Sequence, residues 1–449
     1  MRERSLITDF TQGSIPKQLF IFAAPLFLSN LLQIVYNMAD MVIVGRVIGD
    51  VGLSAVSVGG DVSGFLTFVA MGFSSAGQVI IAKYIGAGQK ERVGRFIATM
   101  FSALTVVAIV LSCICVALRV PILKLMNTPE QAMEEALGYA TICILGLVFI
   151  YGYNIISAIL RGMGDSRHPF VFISIAAILN IILDLLFVAV FSMGAAGAAL
   201  ATVISQCVSF VSCAVFLYRK RAVLGFEIKV SYFWHVDKGM LGELVKLGIP
   251  MAIKSGAIHF SKLFVNSWIN SYGIAVSAFA GVANKVNSVS NLLSNALNTA
   301  GASMVGQNIG AKMYRRVPKI SLTIAAWTLS IATTLTILFF AFPEQIFGIF
   351  TDGEAVLAVA MEYLPIAALV FFGSACRAPM NAVLNGSGNY RVNFVTAILD
   401  GIIMRIGLSL LFGQVLKMGY LGFWLGDALA GFTPLLIGAV FYASGKWKR

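Results

Sequence analysis

Long apolar stretches alternate with short polar connections along the whole chain. Their spacing predicts twelve spanning helices, at about 16–44, 51–84, 93–118, 133–160, 169–191, 194–218, 243–271, 274–308, 317–341, 356–384, 392–413 and 419–443. Several exceed the roughly 20 residues a helix needs to cross a bilayer, so they must tilt, bend or project. Runs this long and continuous are not the short alternating strands of a barrel. The expected fold class is therefore an all-α membrane protein. Polar side chains inside the runs are few and patterned. In the first run Gln33, Tyr36, Asn37 and Asp40 fall at i, i+3, i+4 and i+7, one face of a helix, while Ile34, Val35 and Met38 face elsewhere and can meet lipid. A carboxylate inside the membrane costs about 2.5–3.5 kcal/mol even on the gentlest scale, and such groups mark substrate or ion pathways.

Composition agrees with the pattern. The chain has 449 residues, of which 59% are hydrophobic and only 12% charged, against about 25% charged in a soluble domain. The first apolar run is too long for the core of a cleavable signal and is expected to remain as an anchor. Cys113, Cys115, Cys143, Cys207, Cys213 and Cys376 all lie in apolar runs with no Cys-x-x-Cys pair, and read as buried free thiols rather than disulfides or a metal site. With twelve spans, the termini and even-numbered connections hold most of the Lys and Arg, including Arg2, Arg4, Arg221 and Arg449. The odd connections hold only Arg46, Arg119, Lys124 and Lys417. The positive-inside rule then puts both termini in the cytoplasm, at a plasma or inner membrane. The net charge of +12 is a topology signal and needs no nucleic acid. In the inner connection, Phe226, Tyr232, Phe233 and Trp234 among charges suggest a segment lying at the interface.

The chain repeats itself. Tyr84-Ile85-Gly86-Ala87 is answered by Asn308-Ile309-Gly310-Ala311, and Gly162-Met163-Gly164-Asp165 by Gly386-Ser387-Gly388-Asn389, both at an offset of 224. Pro25 is answered by Pro250 and Met193-Gly194 by Met418-Gly419, at 225. Two six-helix halves of like orientation follow, 1–218 and 243–449, joined by 219–242. Such a repeat suits alternating access around a central cavity. Pro25 and Pro250 each remove a backbone hydrogen bond within a helix and are candidate hinges.

Intramembrane charge separates the halves. The first holds Asp40, Asp61 and Asp184; the second holds Lys254, Lys262, Lys285, Arg377, Arg405, Asp400 and Asp427, with His259. At 1.5 Å per residue Asp40 lies about 36 Å along its helix and Asp184 about 22 Å along the fifth. Pro25 shortens the first figure, so the two can meet at or beyond the midplane. Asn180 and Asp184 share a face, as do Thr202 and Gln206. A polar cluster of Tyr36, Asn37, Asp40, Asn180, Asp184 and Thr202 is therefore expected if the first, fifth and sixth spans converge; packing glue is the competing reading. Paired carboxylates in a low dielectric titrate as a unit and can load a proton on one side and release it on the other. The same oxygens suit Na⁺. Gln33, Gln206, Asp61, His259, Lys262 and Arg377 are candidates for a substrate cavity. Ion pairs among Asp400, Arg405 and Arg377 are expected, because lone buried charges are costly. No Walker A sequence, His-Glu-x-x-His or Gly-x-Ser-x-Gly is present, so neither an enzyme nor ATP drive is expected.

With Pro25, Tyr36, Asn37 and Asp40 in the first span, Asn180 and Asp184 in the fifth, Thr202 in the sixth and the Gly86-Ala87-Gly88 and Gly310-Ala311 stretches, the chain resembles the multidrug and toxic compound extrusion (MATE) transporters, of the prokaryotic DinF-like branch. The resemblance covers almost the whole chain. It implies a cation-driven antiporter exporting amphipathic organic compounds, with Asp40, Asn180, Asp184 and Thr202 in the coupling site. It implies no cofactor beyond a coupling ion, H⁺ before Na⁺, and as partners a small organic substrate and the bilayer, the chain acting as a monomer. Another branch of that family carries acidic coupling residues on the seventh and tenth spans. Here Lys254, His259, Lys262 and Arg377 stand there instead, which argues against a sodium site in that half and does not favour a cationic cargo. A flippase for lipid-linked precursors, of the same superfamily, and a passive channel are the alternatives.

Overall fold

The computed structural model describes residues 7–126, 128–220, 227, 229–351 and 353–448. Phe226 of the expected interfacial segment, and Arg2, Arg4, Arg221 and Arg449, lie outside the described residues. All regular elements among the described residues are helical, since a helix satisfies its own backbone groups where there is no water. In order they are α1 (Ile15–Val47), α2 (Asp50–Gly86), α3 (Lys90–Ala117), α4 (Arg119–Leu125), α5 (Met133–Leu145), α6 (Leu147–Gly162), α7 (Arg167–Asp184), α8 (Gly194–Arg219), α9 (Val230–Trp234), α10 (Lys238–Asn270), α11 (Ile274–Gly310), α12 (Arg316–Ala341), α13 (Pro343–Gly348), α14 (Glu354–Gly386), α15 (Tyr390–Ile398), α16 (Met404–Leu410), α17 (Gly419–Ala430) and α18 (Thr433–Ala443). π-helical turns follow α7 at Leu185–Val190, join α15 to α16 at Leu399–Ile403, and follow α16 at Leu411–Val415.

Among the described residues, nine helices are long and apolar enough to cross a membrane, and α5 with α6, bent by 46° at their junction, makes a tenth. The remaining two expected spans are α10 and α11. At 33 and 37 residues they equal α1 and α2 in length. They fall short on apolarity alone, through Lys254, His259, Lys262 and Lys285 and the asparagines 284, 287, 291, 295 and 298.

The repeat extends to backbone conformation. Gly49 and Gly273, Gly164 and Gly388, and Gly194 and Gly419 all take positive φ, as do Ser192 and Lys417. At Gly88 and Lys312, 224 residues apart, the second half keeps the left-handed turn on a lysine. Gly162 and Gly386 show why glycine recurs at the ends of α6 and α14. A Cβ on Gly162 would sit 2.8 Å from the Gln78 carbonyl oxygen, and one on Gly386 would sit 2.8 Å from that of Ala302. These carbonyls are again 224 apart, so each half brings two helix backbones into the same close approach.

The chain divides into two compact units. Unit 1 holds Ala24–Gly248 with the segment ending at Asp9; unit 2 holds Phe10–Ala23 and Ile249–Arg449. The divisions fall just before Pro25 and Pro250, within α1 and α10, whereas the sequence pattern places the change of half in the 219–242 connection. In unit 1, α2 packs on α3, α5 and α6, α7 on α8, and α5 on α8. Part of the segment expected at the interface forms α9: Ser102 donates to the Phe233 carbonyl at 2.8 Å, the Arg95 guanidinium lies 5.6 Å from the Tyr232 ring, and Trp234 is exposed. In unit 2, α14 packs on α11, α12, α17 and α18, over a core that includes Phe279, Tyr363, Phe371 and Trp424. The chain before α1 is fastened here. The Phe10 N–H donates to Gln307 Oε1 at 3.0 Å, and Arg316 donates to the carbonyls of Phe10, Gln12 and Gly13 at 3.1–3.3 Å. The cysteines are free thiols, but of the six expected to be buried Cys113 is exposed and Cys207 and Cys376 are half-buried.

Candidate functional site

Of the polar face of α1, only Asp40 is buried, at 8% exposure; Gln33 and Tyr36 are half-buried and Asn37 is exposed. Asn37, three residues before Asp40 and expected in the same polar cluster, is thus not enclosed with it. Asp184 ends α7 and is completely buried. The π-helical turn begins at the next residue, and such turns recur at functional sites because they break the regular hydrogen-bond ladder. Asp40 and Asp184 lie within electrostatic reach of each other. Asn180, one turn before Asp184, donates from Nδ2 to Thr202 Oγ1 of α8 at 3.4 Å. The Gln206 amide, one turn further along α8, hydrogen-bonds the Tyr36 hydroxyl. Asn180 and Thr202 thus join α7 to α8, and Tyr36 of α1 lies beside Gln206 of α8.

A fourth helix contributes. Tyr139 of α5 hydrogen-bonds Cys143 and lies within electrostatic reach of both Asp40 and Asp184. Its ring is backed by Gly59, where an added Cβ would meet it at 2.5 Å. Sequence reasoning passed over Tyr139 and Cys143; their i, i+4 spacing on α5 was the available signal.

The chemistry of the pocket is one-sided. Asp40 Oδ1, Asn180 Oδ1, both oxygens of Asp184 and Gln206 Oε1 are buried with no hydrogen-bond partner among the described residues. All are acceptors. A set of buried oxygens without donors is satisfied by a proton on a carboxyl or by a hard monovalent cation. Among the described residues no group of three or more His, Cys, Asp or Glu could hold a metal ion. Asp61, also expected near a cavity, is exposed on α2.

Unit 2 carries the opposite arrangement. Asp400, completely buried, accepts at Oδ1 from Arg377 Nη2 at 3.1 Å and from Arg405 Nη2 at 3.4 Å. The expected ion pairs among these three are thus present, and Asp427 joins them through Arg405 Nη1. Lys254 is buried and donates to Asn381 Oδ1 at 2.7 Å; Lys262 is half-buried; His259 is exposed. At the repeat offset of 225, Arg405 answers Asn180, Asp427 answers Thr202 and Lys262 answers Asn37. The Asn180–Thr202 hydrogen bond of unit 1 is replaced by the Arg405–Asp427 ion pair, while Asp40 and Asp184 are answered by Val265 and Ser409.

Comparison with known proteins agrees with this geometry. The MatE family matches residues 25–186 and 250–411, one stretch in each half, beginning at Pro25 and at Pro250. A probable multidrug resistance protein of Bacillus subtilis, YpnP, is 29% identical over 440 residues, covering 98% of this chain and 97% of its own. A probable multidrug resistance protein of Thermotoga maritima, NorM, is 25% identical over 446 residues, covering 97% of this chain and 94% of its own. The crystal structure of MATE in complex with MaD3S has the same fold, with a TM-score of 0.88 at 21% identity, covering 99% of this chain and 100% of its own. Matched in both halves by one family, the chain belongs to the MATE (MatE) family of multidrug efflux transporters, multi-pass membrane proteins rather than enzymes.

Proposed function

We propose that the chain is a secondary active antiporter that exports amphipathic organic compounds in exchange for protons. Asp40 and Asp184 carry the exchanged proton, Asn180, Thr202 and Tyr36 position them, and Pro25 and Pro250 act as hinges of an alternating-access cycle. The observation that carries this reading is Asp184, fully buried with neither oxygen partnered among the described residues and with Asp40 in electrostatic reach. An anion so placed is costly unless it binds something. The division into units beside both prolines supports the hinges. In this reading the protein works as a monomer in the plasma or inner membrane with both termini cytoplasmic. The acceptor-only oxygens equally suit Na⁺, which is the second reading.

Inside-out membrane vesicles test it. With an acid interior imposed, parent vesicles accumulate amphipathic fluorescent dyes, and Asp40→Asn and Asp184→Asn fall to the gradient-free level. Undiminished uptake in Asp184→Asn removes the carboxylate from coupling. Uptake driven only by a Na⁺ gradient selects sodium, and equal flux with no gradient indicates a facilitator.

A further inference from the structure

The ion cluster of unit 2 does not balance. Lys254, Lys262, Arg377 and Arg405 face Asp400 and Asp427, four cations against two carboxylates. The other basic groups on α10 and α11, His259 and Lys285, are exposed. Asp400 Oδ1 is already shared by two guanidinium groups, and Arg405 bonds Asp427 as well. Lys254 rests on a neutral amide, that of Asn381. Lys262 makes no hydrogen bond or ion pair among the described residues, although Asp427 is in electrostatic reach. The Nε groups of Arg377 and Arg405 are buried and likewise without a partner. Excess positive charge inside a membrane is as costly as the excess negative charge of unit 1, and donors without acceptors complete themselves with an anion. A guanidinium fork beside ammonium groups fits the oxygens of a carboxylate or phosphate.

We propose that Lys254, Lys262 and Arg377 of unit 2 form a binding site for an oxyanion, a carboxylate or phosphate borne by an amphipathic molecule. Arg405 is not free to bind it, being held between Asp400 and Asp427; its role is to fix the two carboxylates so that Arg377 and Lys262 are left with unspent charge. Unit 1, with Asp40 on the helix that α10 answers, takes the coupling cation, and unit 2, with its bases, takes the anion. That the bound molecule is cargo rests on the export reading above; that it binds does not. The same chemistry belongs to the headgroup of an anionic lipid.

Purified full-length protein in phosphatidylcholine nanodiscs is titrated with 1-naphthyl phosphate and with a naphthyl trimethylammonium salt. The parent is expected to bind the phosphate about tenfold more tightly, the factor for one charge-assisted hydrogen bond. Lys262→Gln and Arg377→Gln each remove most of that preference, and Lys262→Arg keeps it. Lys262 has no native bond to lose, so Lys262→Gln decides the matter if Arg377→Gln does not fold. Equal binding of the two compounds by the parent, or a preference undiminished in Lys262→Gln, overturns the site. Replacing part of the phosphatidylcholine by phosphatidylglycerol separates the sources. Weakened phosphate binding in the parent, absent in Lys262→Gln, identifies a lipid headgroup in the site. Unchanged binding with uptake of naphthyl phosphate by inside-out vesicles identifies cargo. Binding without gradient-driven uptake leaves the oxyanion site standing and removes only the claim that its occupant is cargo.

Discussion

Replacing Arg405 by methionine removes the link between two buried carboxylates. The side chain is 2% exposed and bonds both Asp400 and Asp427. Methionine fills similar volume with a flexible apolar chain, so the cavity contribution is small. The loss is then mainly electrostatic, and breaking a buried pair while leaving its partner behind costs about 3–5 kcal/mol. Two features soften it. Asp400 keeps Arg377 at 3.1 Å, and Asp427 keeps Lys262 within electrostatic reach. The lower end, about 3 kcal/mol, is therefore expected. The assay is reversible denaturation in mixed micelles followed by tryptophan fluorescence, with Trp424 reporting from within unit 2. The second half of the test is Asp427→Asn in the Arg405→Met background. Removing the stranded carboxylate should make the double variant less destabilised than the sum of the singles by about 1–3 kcal/mol. An Arg405→Met protein within about 1 kcal/mol of the parent, or strictly additive singles, would refute the claim that this pair is a coupled buried ion network.

Further outcomes follow from the helix contacts and the N-terminal strap. Gly162→Ala and Gly386→Ala should each destabilise by about 1–3 kcal/mol in the same denaturation assay, because backbone carbonyls at 2.8 Å cannot give way. Gly60→Ala, with nothing within 4 Å of the new methyl, should stay within about 0.5 kcal/mol of the parent. Arg316→Ala removes a donor from three backbone carbonyls between Phe10 and Gly13, of which that of Phe10 keeps Asn308 Nδ2, so limited trypsin digestion at Lys17 should quicken several-fold; an unchanged rate would show that the bonds of Phe10 to Gln307 and Asn308 suffice to hold the strap.

The helical class, the two halves and the short set of intramembrane charges were all legible in one dimension. Apolar length dictates a helix wherever water is absent, and the offset of 224 to 225 survives because every close approach and left-handed turn of one half recurs in the other, as at Gly162 and Gly386. Helical spacing also placed Asp40 with Tyr36, and Asn180 with Asp184, on common faces. Spacing describes one helix at a time, however, and a site is made by several. That Asn37 turns outward while Asp40 turns in, that Tyr139 and Cys143 of α5 border the acids, and that Asp427 answers to Arg405 rather than standing alone depended on which helices pack together. The same holds for α1 and α10. Each is one unbroken run in sequence, yet each belongs to two compact units, because packing neighbours change beside the proline while apolarity does not. Charge balance was legible only in part, since pairing among Asp400, Arg405 and Arg377 was expected but the place of Asp427 was not. Whether a buried acid or base is costly follows from the partners that folding brings within about 4 Å; Arg405 has one 5 residues away and another 22 away, Arg377 has one 23 away, and Lys254 has one 127 away.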